Sequence, residues 1–231
     1  MSHPARHPLD KAIWTALHSR QAHFAEGGAL AKRFPADVSP FVAAKNDTPE
    51  AAAALAGLVV AGDDASLLEA APPQPPAGIV STEKMCVQLV ATALAKSGAR
   101  APASAIEPLS DADAAEMLAL ATLTRPGPFR TRTHTLGRFI GIRDGGRLVA
   151  MGGERLAVEG FTEVSALCTH PEHRGRGYGE ALLRAVADRI LGEGRTPFLH
   201  SYADNAGALA LYEKLGFTFR ADIVHAVWRR S

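Results

Sequence analysis

The sequence predicts a mixed α/β fold, an α+β sheet flanked by helices, with a smaller α/β unit ahead of it. Three observations carry this. Apolar residues in the C-terminal half switch repeatedly between a period of two and a period near 3.6, and glycine turns fall at the switches. A glycine-rich stretch, RGRGYGEALLRAV over 174–186, joins a strand pattern directly to a helical one.

In chain order, KAIWTALHSRQAHF and PEAAAALAGLV read as helices, and SPFVAA and ASLLEA as short strands. PPQPPA at 72–77 and SGARAPASA at 97–105 interrupt the pattern with proline, glycine and small residues. We place a domain boundary at the second, giving an N-terminal α/β unit over 1–100 and a second domain over 105–231. The first unit carries no chemical motif. It could be a degenerate copy of the second, walling an acceptor site or forming a homodimer contact.

Ser110 is positioned as an N-cap for the helix of DADAAEMLALATL. After the proline-bearing loop TRPGPFRTRTHT, GRFIGIR and RLVAMGG flank Asp144, Gly145 and Gly146, a hairpin signature. In TEVSALCT, Val164, Ala166 and Cys168 alternate with Glu163, Ser165, Leu167 and Thr169, so the first set is expected to face the core. Leu182, Leu183, Val186 and Ile190 form one helical face. PFLHSYA is a strand, NAGALALYEKL a helix closed by Gly216, and DIVHAVWRR a final alternating strand.

Composition narrows the function. Among 231 residues, 47% are hydrophobic and 21% charged, which argues against wholesale disorder. With 25 basic and 24 acidic residues the net charge is +1, so no global field draws the chain to nucleic acid or an anionic membrane. The apolar run from Ala51 to Gly62 is well short of the roughly 20 residues of a membrane helix. Two cysteines, Cys86 and Cys168, do not make a disulfide framework, and the start of the chain lacks the apolar core of a secretory signal. A cytoplasmic setting is expected.

Any anion must therefore be bound locally. Arg174 to Gly179 joins a strand to a helix whose first N–H groups have no intrahelical partner, and glycines let the backbone approach a phosphate. A P-loop would need Lys-Ser/Thr after the last glycine, where Glu180 and Ala181 stand. A dinucleotide fingerprint would need the third glycine one residue later. The remaining pattern, R-x-x-G-x-G at Arg174, Gly177 and Gly179, resembles the coenzyme A loop of the GNAT superfamily of N-acetyltransferases. HPEHRGRGYGEALL followed by YADNAGALALYEKLGF is similar to two hallmark segments of that family, and the resemblance covers 105–231.

The resemblance implies a GNAT-like acyl-CoA fold and transfer of an acetyl group from acetyl-CoA, the co-substrate, directly to a primary amine on a small molecule or peptide. It implies coenzyme contacts from the strand Leu167, Cys168 and Thr169, with the Leu167 N–H as oxyanion donor. Further contacts are expected from Arg174, Gly175, Arg176, Gly177, Tyr178, Gly179 and Glu180, and from Asn205. Tyr212 lies seven residues beyond Asn205, about 10 Å along the same helical face. Its phenol is expected to protonate the departing thiolate.

Glu163 is the expected base, at the place where histone acetyltransferases of the superfamily carry theirs, and on the strand face of Leu167 and Thr169. Phe129, Arg132 and His134, with Arg130, are expected to meet the acceptor, an arginine pairing with a carboxylate. Cys168, His170 and His173 could form a zinc cluster, but they fall where the coenzyme is expected, so no metal is anticipated. The alternative to an enzyme is a non-catalytic coenzyme A-binding or sensor module.

Overall fold

The computed structural model describes residues 7–96 and 105–231. The expected boundary at 97–105 lies, but for Ala105, outside the described residues. The N-terminal segment holds helices α1 (Ala12–Ala16) and α2 (Pro49–Gly57) and strands β1 (Glu26–Gly27), β2 (Ala31–Arg33), β3 (Val42–Ala44), β4 (Ala65–Glu69) and β5 (Ile79–Val90). The C-terminal segment holds β6 (Ile106–Leu109), α3 (Ala114–Thr124), β7 (Phe139–Asp144), β8 (Arg147–Val158), β9 (Phe161–Thr169), α4 (Tyr178–Gly192), β10 (Thr196–Tyr202), α5 (Ala206–Lys214) and β11 (Thr218–Arg230).

Strands β1 to β3 form a small sheet, and the other eight form one large sheet in the order β4-β11-β5-β10-β9-β8-β7-β6. Both segments therefore build the same sheet. Strand β5 lies between β10 and β11 and pairs antiparallel with each. Among the described residues, the only parallel strand neighbours in this sheet are β9 and β10.

Local chemistry explains the elements. Thr48 caps α2, its Oγ1 accepting from the Ala51 N–H, with Pro49 in the first turn. Ser110 and Asp113 form a capping box ahead of α3. Gly145 and Gly146 both take positive φ, 58° and 83°, as the tight β7–β8 turn requires. The first predicted helix is much shorter than its sequence pattern. Gln21, buried, reaches away to the carbonyls of Leu136 and Arg155 and to the Ala157 N–H, and the chain turns to follow it.

The large sheet is covered on both faces. On one, α4 packs Leu182, Leu183, Val186 and Ile190 against Val164, Leu199 and Phe217. On the other, α1 with Phe34 and Phe41 packs on Leu156, Phe198 and Ile223, and α3 packs Met117, Leu120 and Ala121 on Met151, Ala166 and Cys168.

Val164 therefore does not share a face with Ala166 and Cys168, as strict alternation implied. Ala166 has φ 54°, and the β8–β9 register slips between the Met151↔Cys168 and Gly153↔Ser165 pairs, the mark of a bulge. Leu167 consequently turns to the α4 side, onto Gly152, where an added Cβ would lie 2.6 Å from Leu167 Cδ2. Glu163, ahead of the bulge, is not on the face of Leu167.

Candidate active site

Strands β9 and β10 pair at only three positions, Phe161↔Thr196, Thr162↔Pro197 and Glu163↔Phe198. Beyond them the strands part, and among the described residues β9 from the bulge onward has no strand on its β10 side. The opening is a cleft of about 200 Å³ lined by Leu167, Asn205 and Tyr212 from the C-terminal segment, and by Phe41, Leu68 and Cys86 from the N-terminal one. A second hollow adjoins it, and Arg125, Gly127, Pro128, Tyr202 and His225 line both.

The glycine loop follows directly on β9. Gly175 and Gly177 take positive φ, 76° and 77°, whereas Gly179 lies inside α4 with no such need. Gly177 is the N-cap of α4 and no side chain among the described residues caps that helix, so its first N–H groups are left without intrahelical partners beside exposed Arg174. Tyr178 is buried against the α4 core and anchors the turn. Arg176 pairs with Asp144 at 3.3 Å, and Glu180 with Lys214 at 2.8 Å, tying α4 to α5. Fifteen residues of α4 aim their dipole at this loop.

Asn205 caps α5, its Oδ1 accepting from the Ala208 N–H at 3.3 Å. Burial pushes the Tyr212 phenol up from its ordinary value, so it is a proton-bearing donor at neutral pH. Leu167, from β9, thus meets Asn205 and Tyr212, both from α5 and its cap, on one cleft.

Glu163 is placed differently from its expected role. It is fully buried, and accepts from Arg155 Nε at 2.8 Å, Arg155 Nη2 at 2.7 Å, the Leu156 N–H at 3.3 Å and His200 Nδ1 at 2.7 Å. Burial alone would raise its pKa, but the Arg155 charge and hydrogen bonds, aided by His200, outweigh burial and bring it to about 2. A carboxylate so engaged is a poor base. Gln88 Nε2 lies 2.9 Å from His200 Nε2, and Arg220 donates to Gln88 Oε1, so one buried polar chain runs from Arg220 to Arg155.

The acceptor residues also redistribute. Phe129 lines the second hollow, edge-on to Phe139 at 5.8 Å. Arg132 pairs with Asp37 at 3.1 Å and His134 with Asp111 at 3.0 Å, and neither lines the cleft. Arg130 pairs with Asp63.

Burial raises the Cys168 thiol to about 11, so it is no ready nucleophile. Cys168 packs under α3, whereas His170, Glu172 and His173 bring ligand atoms within 4.8 Å of one another. The Arg147 guanidinium stands 2.7 Å from His170 Nε2 and opposes a cation there.

Sequence reasoning missed His225, Tyr202, Arg155 and Arg125. The Tyr202 hydroxyl lies 3.2 Å from His225 Nδ1, while His225 Nε2 is buried with no hydrogen-bond partner among the described residues. Burial, then Arg155 and His200, push the imidazole down to about 4. Arg155 stacks over Phe41, 4.7 Å from its ring centre. His225 belongs to a segment read only as a strand, Tyr202 and Arg125 to a hallmark segment and a loop in which other residues were named, and Arg155 to a stretch given no element.

A family model described as FR47-like protein matches residues 139–228, which run from β7 to β11. The N-alpha-acetyltransferase RimI of Mycobacterium tuberculosis is 37% identical over 84 residues, 34% of this chain and 51% of that protein. A mycothiol acetyltransferase of Streptomyces coelicolor is 36% identical over 92 residues, 38% of this chain and 29% of that one. The matches span about half or less of these curated relatives.

Whole-chain similarity comes from solved structures. A GCN5-related N-acetyltransferase from Kribbella flavida shares the fold at TM-score 0.66, with 17% identity and 96% of each chain covered. A GNAT-family structure from Novosphingobium aromaticivorans superposes with TM-score 0.87 and 37% identity, over 98% of this chain and 100% of that one. With a splayed strand pair, a glycine loop and that likeness over nearly its whole length, the chain belongs to the GNAT family of acetyltransferases.

Proposed function

We propose that this protein transfers an acetyl group from acetyl-CoA directly to an amine within a ternary complex. The observation that carries the reading is the parting of β9 and β10 beyond Glu163 and Phe198, with the glycine loop at the end of β9 and Tyr212 on the opening. The α4 N-terminus and Arg174 would hold the pyrophosphate, and the free edge of β9 the pantetheine arm. As the amine attacks the thioester carbonyl, the Leu167 N–H steadies the oxyanion. The carbon–sulfur bond then breaks, the Tyr212 hydroxyl gives its proton to the thiolate, and the proton shed by the acylated nitrogen passes through water to restore the phenol.

The geometry favours a positioning role for Glu163, which orients Arg155 and His200, over that of a base. The acceptor ammonium must lose its proton to water in the open cleft. His225, neutral at pH 7, lines the cleft in which the free amine then attacks and adds no positive charge there to repel the ammonium. The rate should accordingly rise with pH up to the amine's own pKa.

Calorimetric titration with acetyl-CoA, with NADH as control, is the first test. One-to-one binding of acetyl-CoA alone is expected, and absence of binding would remove the transferase reading. Given binding, Tyr212→Phe should lower kcat by about 10²-fold with the affinity for acetyl-CoA kept. Unchanged turnover across the pH range would reject Tyr212 as the acid.

A further inference from the structure

The cleft walls carry a charge pattern that bears on the acceptor. Arg155 pairs with Glu163, Arg130 with Asp63, and Asp64 with Arg229. Arg125 is left. It lines both hollows, is exposed, and makes no side-chain hydrogen bond or ion pair among the described residues. It sits just past α3 in the left-handed conformation, φ 51° and ψ 56°, which a residue with a Cβ rarely adopts and which fixes where its side chain leaves the chain.

Arg155 adds a second donor. Its Nε and Nη2 are held by Glu163, but Nη1 has no partner among the described residues and points toward Gly127 of the same loop, 3.8 Å from where a Cβ there would stand. The guanidinium is nine-tenths buried, with Phe41 across its face, so it offers one fixed N–H edge. A small planar anion suits such an edge better than a bulky one. Conversely, every carboxylate here is already paired with an arginine, so a polycationic acceptor would find no counter-charge.

We propose that the acceptor is an amine that also carries a carboxylate, an amino acid or short peptide, with the carboxylate held between Arg125 and Arg155 Nη1. This rests on the transferase reading. It moves anion recognition from Arg130 and Arg132, which have partners, to two arginines on the cleft itself.

The test compares matched pairs by thiol release from acetyl-CoA: α-, β- and γ-amino acids and dipeptides, each against its carboxamide. The carboxylate member should show a kcat/KM about tenfold or more above its amide. Arg125→Gln should bring that ratio close to one, Arg125→Lys should keep part of it, and acetyl-CoA binding should be unaffected in both. Three results overturn the proposal: amides that react as well as acids, a ratio unmoved by Arg125→Gln, or no turnover of any pair by protein that binds acetyl-CoA. Failure to bind acetyl-CoA would instead defeat the transferase reading itself.

Discussion

Glu163 stabilises the fold through a bidentate pair that burial makes indispensable once formed. Glu163→Gln leaves Arg155 charged and uncompensated in the interior, and should cost about 3–5 kcal/mol in denaturant unfolding. The pH dependence has a definite sign. The folded pKa, about 2, lies below the unfolded value of about 4.3, so the carboxylate's contribution is complete above that value. It is lost as pH falls from there through 2. His225 acts in a higher window: its folded pKa of about 4 lies below 6.5, so stability declines as pH drops between those values. His225→Gln should flatten that decline in thermal melts taken from pH 7 to pH 4.

The glycine loop and the β9 bulge were legible in unequal degree. Gly175 and Gly177 announce themselves, because left-handed backbone in a strand-to-helix turn favours glycine. Gly177→Ala should strain that turn by roughly 1 kcal/mol and weaken acetyl-CoA binding, as calorimetry would show. The bulge carries an alanine, so period-two alternation runs through it unmarked and misplaces Leu167 relative to Glu163. Ala166→Gly should leave stability unchanged or improve it by up to about 1 kcal/mol in denaturant melts, because glycine accepts φ 54° without a Cβ clash. Arg155 and His225 could not be picked out as site residues, since their neighbours come from strands apart in sequence.

At the scale of the molecule, the C-terminal elements after β6 followed from their periodicity, while β5 did not. Its centre, Ser81 to Met85, is polar or exposed and lacks the apolar alternation of a half-buried strand. Its place comes instead from backbone pairing with β10 and β11. Deleting residues 1–100 removes an interior strand and separates β10 from β11, so the truncated protein should be unfolded, with no cooperative melt by circular dichroism.

The same insertion sets an order of events in folding. Val90 meets Thr218 across 128 residues, and twelve positions of β5 wait on β11 for their partners. Pairing over such separations is slow, because loop closure must precede any gain in contacts. During synthesis β5 leaves the ribosome long before β11 exists, carrying two unpaired edges. A nascent chain stalled after β9 should therefore be captured by holdase chaperones, and release should follow once β10 and β11 emerge.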